Sequence, residues 1–112
     1  MNETTVVLTS CGRQDLLAQT IHSFLRFNTA PLERFIVIED GPGDRNEGLK
    51  RTFSSDLFLW LATGDRIGQI RAVDAAYRHV QTPYVFHCED DWWARRSKSR
   101  PIAAQKVGHL RV

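Results

Sequence analysis

Hydrophobic and polar positions along this chain fall into short blocks whose period changes from one block to the next. Thr4-Thr5-Val6-Val7-Leu8-Thr9, rich in β-branched residues, predicts a first strand. Ser10-Cys11-Gly12 supplies a turn. From Gln14 to Phe27 the spacing becomes helical, with Leu17, Ile21, Phe24 and Leu25 sharing a face and Leu16 on its flank. Asn28 and Pro31 end that helix. Phe35-Ile36-Val37-Ile38 is a continuous apolar run, short enough for a strand buried on both faces, and it opens into the acidic loop Glu39-Asp40-Gly41-Pro42-Gly43-Asp44. Residues 45–56 are polar and predict a short, irregular helix around Leu49 and Phe53, and Leu57-Phe58-Leu59-Trp60-Leu61 predicts a third strand. After the turn Thr63-Gly64-Asp65, a second clear helix runs from Gly68 to Val80. Ile70, Val73, Tyr77 and Val80 form its stripe, with small Ala72, Ala75 and Ala76 beside it. Thr82-Pro83 breaks it, and Tyr84 to Cys88 predicts a fourth strand.

Strands that alternate with helices imply an α/β fold with a mainly parallel sheet and flanking helices. In open sheets of that kind ligands bind beyond the carboxyl ends of the strands. Those ends carry Ser10-Cys11-Gly12-Arg13, Glu39-Asp40-Gly41 and Glu89-Asp90-Asp91, so the polar chemistry gathers on one edge. Three adjacent carboxylates repel one another and call for a cation, solvent or hydrogen-bond donors.

Composition adds few constraints. The 112 residues suit one domain with a modest core. No apolar run is long enough for a transmembrane helix, and the opening Met1-Asn2-Glu3 lacks a basic and apolar leader, so a cytoplasmic location is expected. Cys11 and Cys88 are then expected as reduced thiols. Charge is uneven: residues 1–91 hold all 13 acidic residues and nine of the 15 Lys and Arg, whereas residues 92–112 hold six basic residues and no acid. This shift can mark a basic interaction tail, or a chain that changes character before its domain is finished, and Ile102, Val107 and Leu110 there predict at most one helix. There is no Gly-Lys-Ser/Thr phosphate loop, Cys-x-x-Cys pair or nucleophile elbow. His22, His79 and His109 lack metal-ligand spacing, and His87, inside the fourth strand, reads as a packed or partnered residue.

Several stretches together resemble the nucleotide-binding half of a family 2 type glycosyltransferase with the GT-A fold, a Rossmann-like sheet here expected to be incomplete; the resemblance implies such a half-domain over residues 1–93 and leaves residues 94–112 as a basic C-terminal segment. Thr5 to Ser10 with Arg13 is similar to the family's opening strand and loop. Leu16 to Leu25 is similar to its first helix, with a Leu-x-x-Thr-Ile-x-Ser-Leu pattern. Ile38-Glu39-Asp40-Gly41 resembles the second-strand acidic motif. Gly68 to Tyr77 resembles the Gly-x-x-x-Ala-x-Asn-x-Gly helix, with Asp74 and Ala76 departing from it. Glu89-Asp90-Asp91 falls where the Asp-x-Asp metal motif lies, with Glu89 in place of the first Asp.

The resemblance implies a nucleotide-diphosphate sugar as ligand and Mg²⁺ or Mn²⁺ as cofactor, the hard cation bridging diphosphate oxygens to carboxylates. Asp91 is then the direct metal ligand, with Glu89 on the metal, its water or the ribose. Ser10, Gly12, Arg13, Asp40, Arg71 and Asp90 are the implied nucleotide-binding residues. Each has an ordinary alternative: a solvated acidic loop, a turn Asp, a solvated helix arginine, and packing roles for Trp92 and Trp93. The family's inverting members place a carboxylate base beyond the metal motif. Residues 92–112 contain none, so a truncated member unable to transfer sugar alone is expected. The rival readings are a non-catalytic α/β binding module and a receiver-like signalling domain. The latter needs an Asp after the third strand, where Leu57 to Thr63 offers none.

Overall fold

The structure is a computed structural model that describes residues 3–29 and 31–92. Four strands, β1 (Thr4–Ser10), β2 (Arg34–Glu39), β3 (Phe58–Ala62) and β4 (Tyr84–Glu89), alternate with helices α1 (Gln14–Phe27), α2 (Glu47–Thr52) and α3 (Gln69–Tyr77). The sheet order is β3-β2-β1-β4, and every pairing is parallel. In register, Thr9 of β1 stands beside Ile38 of β2 on one side and Glu89 of β4 on the other. All carboxyl ends therefore lie along one edge, as the alternation predicts.

Alternation along β1 divides the core into two layers. Val6 and Leu8 pack with Leu17, Ile21 and Phe24 of α1, together with Phe35, Val37 and Phe86. Val7 packs on the opposite face with Ile36, Ile38 and Val85, against Ala72 and Ala76 of α3 and Val80 beyond it. Burial on both faces explains the unbroken apolar run of β2, which a half-exposed strand would interrupt with polar residues. Phe24 centres the first layer. Its ring lies 5.6 Å from Phe35, 5.3 Å from Phe86 and 6.0 Å from Trp92, in edge-on or tilted contacts favoured by aromatic quadrupoles. Trp92 is thus a core residue; Trp93 and the predicted C-terminal helix lie outside the described residues.

Three details differ from the sequence expectation. The irregular segment after β2 is a 3-10 turn, Gly43–Asn46, running into the short α2, and β3 sits one residue later than its hydrophobicity suggests. Leu25 of α1 is exposed, while Thr20 and Ser23 join the buried face. α3 ends at Tyr77, short of the expected Val80; its buried residues are Ala72 and Ala76, with Val80 buried just beyond it, and Ile70 is 80% exposed. Small alanines let the helix approach the sheet closely, and the first-turn Ile70 then projects clear of it. Among the described residues no helix is long and apolar enough to cross a membrane. Cys11 and Cys88 are not joined in a disulfide; the first is exposed and the second buried.

Candidate functional site

The chain leaves β1 toward β2 but reaches β4 on β1's other side, so the course of the sheet reverses between β1 and β4. At that switch point the loops diverge and leave a crevice. The cleft there measures about 80 Å³. Thr9, Ser10, Cys11 and Arg13 line it from β1 and its loop, Asp40 from β2, Gln69 and Ala72 from α3, and Glu89 and Asp90 from β4.

Asp90 is 1% exposed, so its carboxylate has to be satisfied by protein donors. Arg13 donates from Nε to Oδ2 at 3.2 Å and from Nη2 to Oδ1. The Cys11 amide at 3.3 Å and the Ser10 hydroxyl at 3.4 Å also donate to Oδ2. From α1 the buried Thr20 hydroxyl donates to the Asp90 carbonyl at 2.8 Å, fastening the end of β4 to the helix. The hydrogen bond and charge of Asp90 raise the Arg13 pKa above its ordinary value, and Asp91 and Glu89 act in the same direction from further off.

Asp40, 7% exposed, serves α3. Its Oδ1 accepts the Ile67 amide at 2.7 Å and its Oδ2 the Gly68 amide at 3.0 Å, with the Thr63 hydroxyl 3.2 Å from Oδ1. Gly68 has φ +95°, a conformation that presents these amides and that glycine adopts without the cost a Cβ brings. A carboxylate at the positive end of a helix is favourable twice over, through its hydrogen bonds and through the helix dipole.

Glu39 was not foreseen as a site residue. It is 1% exposed, accepts the Gly12 amide at 2.6 Å and the Asn46 side-chain amide at 3.3 Å, and so ties the β1–α1 loop to the turn after β2. The available signal was a carboxylate closing an otherwise apolar buried run, a position that demands donors.

The structure brings Ser10, Arg13, Asp40, Glu89 and Asp90 together in the cleft. Glu89 is half-buried and accepts from Gln69 Nε2 at 2.7 Å, and half-buried Asp91 follows with Oδ1 shielded from solvent. Gly12 has φ +74° and aims its amide at Glu39, not at the cleft. Arg71 stands exposed on α3, away from the cleft lining. His87 packs edge-on to Tyr77 with ring centroids 6.2 Å apart; burial lowers its pKa and Glu89 opposes the shift. Among the described residues no group of three or more His, Cys, Asp or Glu converges as a metal cage.

The model of the family described as Glycosyl transferase family 2 matches residues 5–105 of this chain. The chain belongs to glycosyl transferase family 2. The fold agrees with that family's GT-A sheet. A solved structure similar to it is the mannosyltransferase PcManGT from Pyrobaculum calidifontis in complex with GDP-Man and Mn²⁺, with a TM-score of 0.69 at 18% identity. The likeness covers 80% of this chain and 27% of that one, so the chain spans just over a quarter of that structural neighbour's length. No curated protein sequence matches it. Family membership sets aside the receiver-like reading, and β3 indeed ends at Ala62 without a carboxylate.

Proposed function

We propose that this chain binds a nucleotide-diphosphate sugar in the β1–β4 cleft and presents it for glycosyl transfer. The observation that carries the reading is the convergence of Arg13, Asp40, Glu89 and Asp90 at the switch point of a family 2 sheet. Arg13 supplies the cationic wall for the diphosphate. Ser10 and the cleft edge near Asp40 border the nucleoside. The structural neighbour was solved with GDP-Man and Mn²⁺, so the test includes a guanine nucleotide beside a uracil one.

The residues flanking Asp90 fit a divalent cation. Glu89 and Asp91 offer hard oxygen donors, as Mg²⁺ or Mn²⁺ requires, while Asp90 is engaged by Arg13. Such an ion usually takes one or two carboxylates and completes its shell with phosphate oxygens and water, so a protein cage of three ligands is not needed. When bound it would neutralise the charge that develops on the departing diphosphate. Gln69 holds Glu89 in place at the rim, and the buried end of β4 fixes where Asp91 stands.

The test is thermal stability with GDP and UDP, each with and without Mn²⁺. Nucleotide at a hundred times Kd stabilises by about 2.7 kcal/mol. For a domain of this size that is a Tm rise of roughly 10 °C or more. The rise is expected only with metal and is lost in Asp91→Ala. No response to either nucleotide under any condition would sink the reading.

A further inference from the structure

We infer that Asp90, the middle member of the acidic trio, is a positioning residue that acts through Arg13 and not a ligand of metal or nucleotide. The inference rests on the proposed binding of a nucleotide-diphosphate sugar and assigns the phosphate-selective device within that site.

Asp90 is almost wholly buried, and four protein donors from residues 10–13 meet its carboxylate. Arg13 grips both of its oxygens with Nε and Nη2, the two-point geometry that locks a guanidinium plane. The Arg13 side chain nonetheless remains 49% exposed. Guanidinium carries five N–H donors in a fixed fork. Asp90 occupies one edge of that fork. Among the described residues Nη1, on the remaining edge, has no hydrogen-bond partner. Among the described residues that line the cleft Arg13 is the one cation, and Asp40, Glu89 and Asp90 are all acidic. Among those lining side chains, Arg13 is the favourable group an anionic ligand meets, already aimed. Because the same carboxylate also takes the Cys11 amide and Ser10 hydroxyl, it sets the loop that carries Arg13 as well as the guanidinium itself. A pre-aimed donor binds phosphate without first ordering a long side chain, whose loss of rotamer freedom would weaken binding.

The experiment compares wild type with Asp90→Asn, Arg13→Gln and the double variant. Each is titrated with GDP, UDP and their parent nucleosides in excess Mn²⁺, alongside Asp91→Ala. In wild type a nucleoside diphosphate binds more tightly than its nucleoside. Each single variant is expected to weaken diphosphate binding at least tenfold and nucleoside binding less than twofold. The double variant is expected to be no weaker than the worse single one, because both changes break one device. The Mn²⁺ concentration giving half the stabilisation should move in Asp91→Ala and stay put in Asp90→Asn.

If Asp90→Asn fails to fold, Arg13→Lys carries the test. Lys keeps the charge but loses the fork, and should lose diphosphate preference at least fivefold; full retention overturns the inference. Additive losses in the double variant, equal loss of nucleoside binding, or a Mn²⁺ midpoint that shifts with Asp90→Asn would overturn it too. These results differ from failure of the underlying function, in which wild type itself binds no nucleotide.

Discussion

Glu39 shows how one buried side chain can organise two loops. A carboxylate 1% exposed is tolerable only because Gly12 and Asn46 donate to it. Glu39→Ala leaves both donors without their acceptor, each costing about 1–3 kcal/mol, so a loss on the order of 3 kcal/mol is expected in urea unfolding. Glu39→Gln keeps an acceptor oxygen for the Gly12 amide and should lose less than half as much. If both variants unfold at the wild-type midpoint, the buried network is not structural. Gly12 answers to the same contact. Its φ of +74° disfavours any side chain, and a Cβ there would lie 2.7 Å from Arg45 Nη1. Arg45 ends a flexible side chain and can move, so the backbone term dominates: Gly12→Ala should cost about 1–2 kcal/mol. The sequence marked Gly12 and Asp40 as special positions. It did not say that their hydrogen bonds run to the protein, because a donor's partner is a property of the packed loop.

At the scale of elements, α3 is where pattern and structure disagree. Counting large apolar residues picks out Ile70, Val73, Tyr77 and Val80. The fold buries Ala72, Ala76 and Val80 and leaves Ile70 80% exposed. The phase of the helix is set from outside it, by Asp40 holding the Ile67 and Gly68 amides at its start. Sheet contact then favours the smallest side chains. Two substitutions separate the stripes. Ala76→Leu inserts bulk into a fully buried contact and should cost about 1–3 kcal/mol. Ile70→Ser touches an exposed position and should stay within about 0.5 kcal/mol. Reversed magnitudes in chemical denaturation would restore the stripe read from hydrophobicity. In α1 the apolar stripe was legible because Leu17, Ile21 and Phe24 are both large and buried. Only its polar members, Thr20 and Ser23, escaped notice, since their burial depends on what lies opposite: for Thr20, the Asp90 carbonyl.

For the whole molecule, β1 is the keystone. It is paired on both sides and covered on both faces, whereas β3 and β4 are the outer strands among the described residues. Native-state hydrogen exchange should therefore find the amides of Val6, Val7 and Leu8 opening only with global unfolding, while β3, whose residues are at best half-buried, exchanges faster. Equal protection of β3 and β1 would contradict this order.

Residue order was enough to read the succession of strands and helices, the two-sided burial of β2 and the edge on which the polar residues collect. Hydrophobic period and turn chemistry are local, and a parallel α/β sheet follows from their order. Tertiary structure alone decided which of those polar residues meet. Arg13 and Asp90 are 77 positions apart and Ser10 and Asp90 are 80 apart, joined only because β1 and β4 pair. The roles within Glu89-Asp90-Asp91 divide for the same reason: what buries the central carboxylate against Arg13 is the β1 loop, and nothing within three residues of the trio encodes that loop's position.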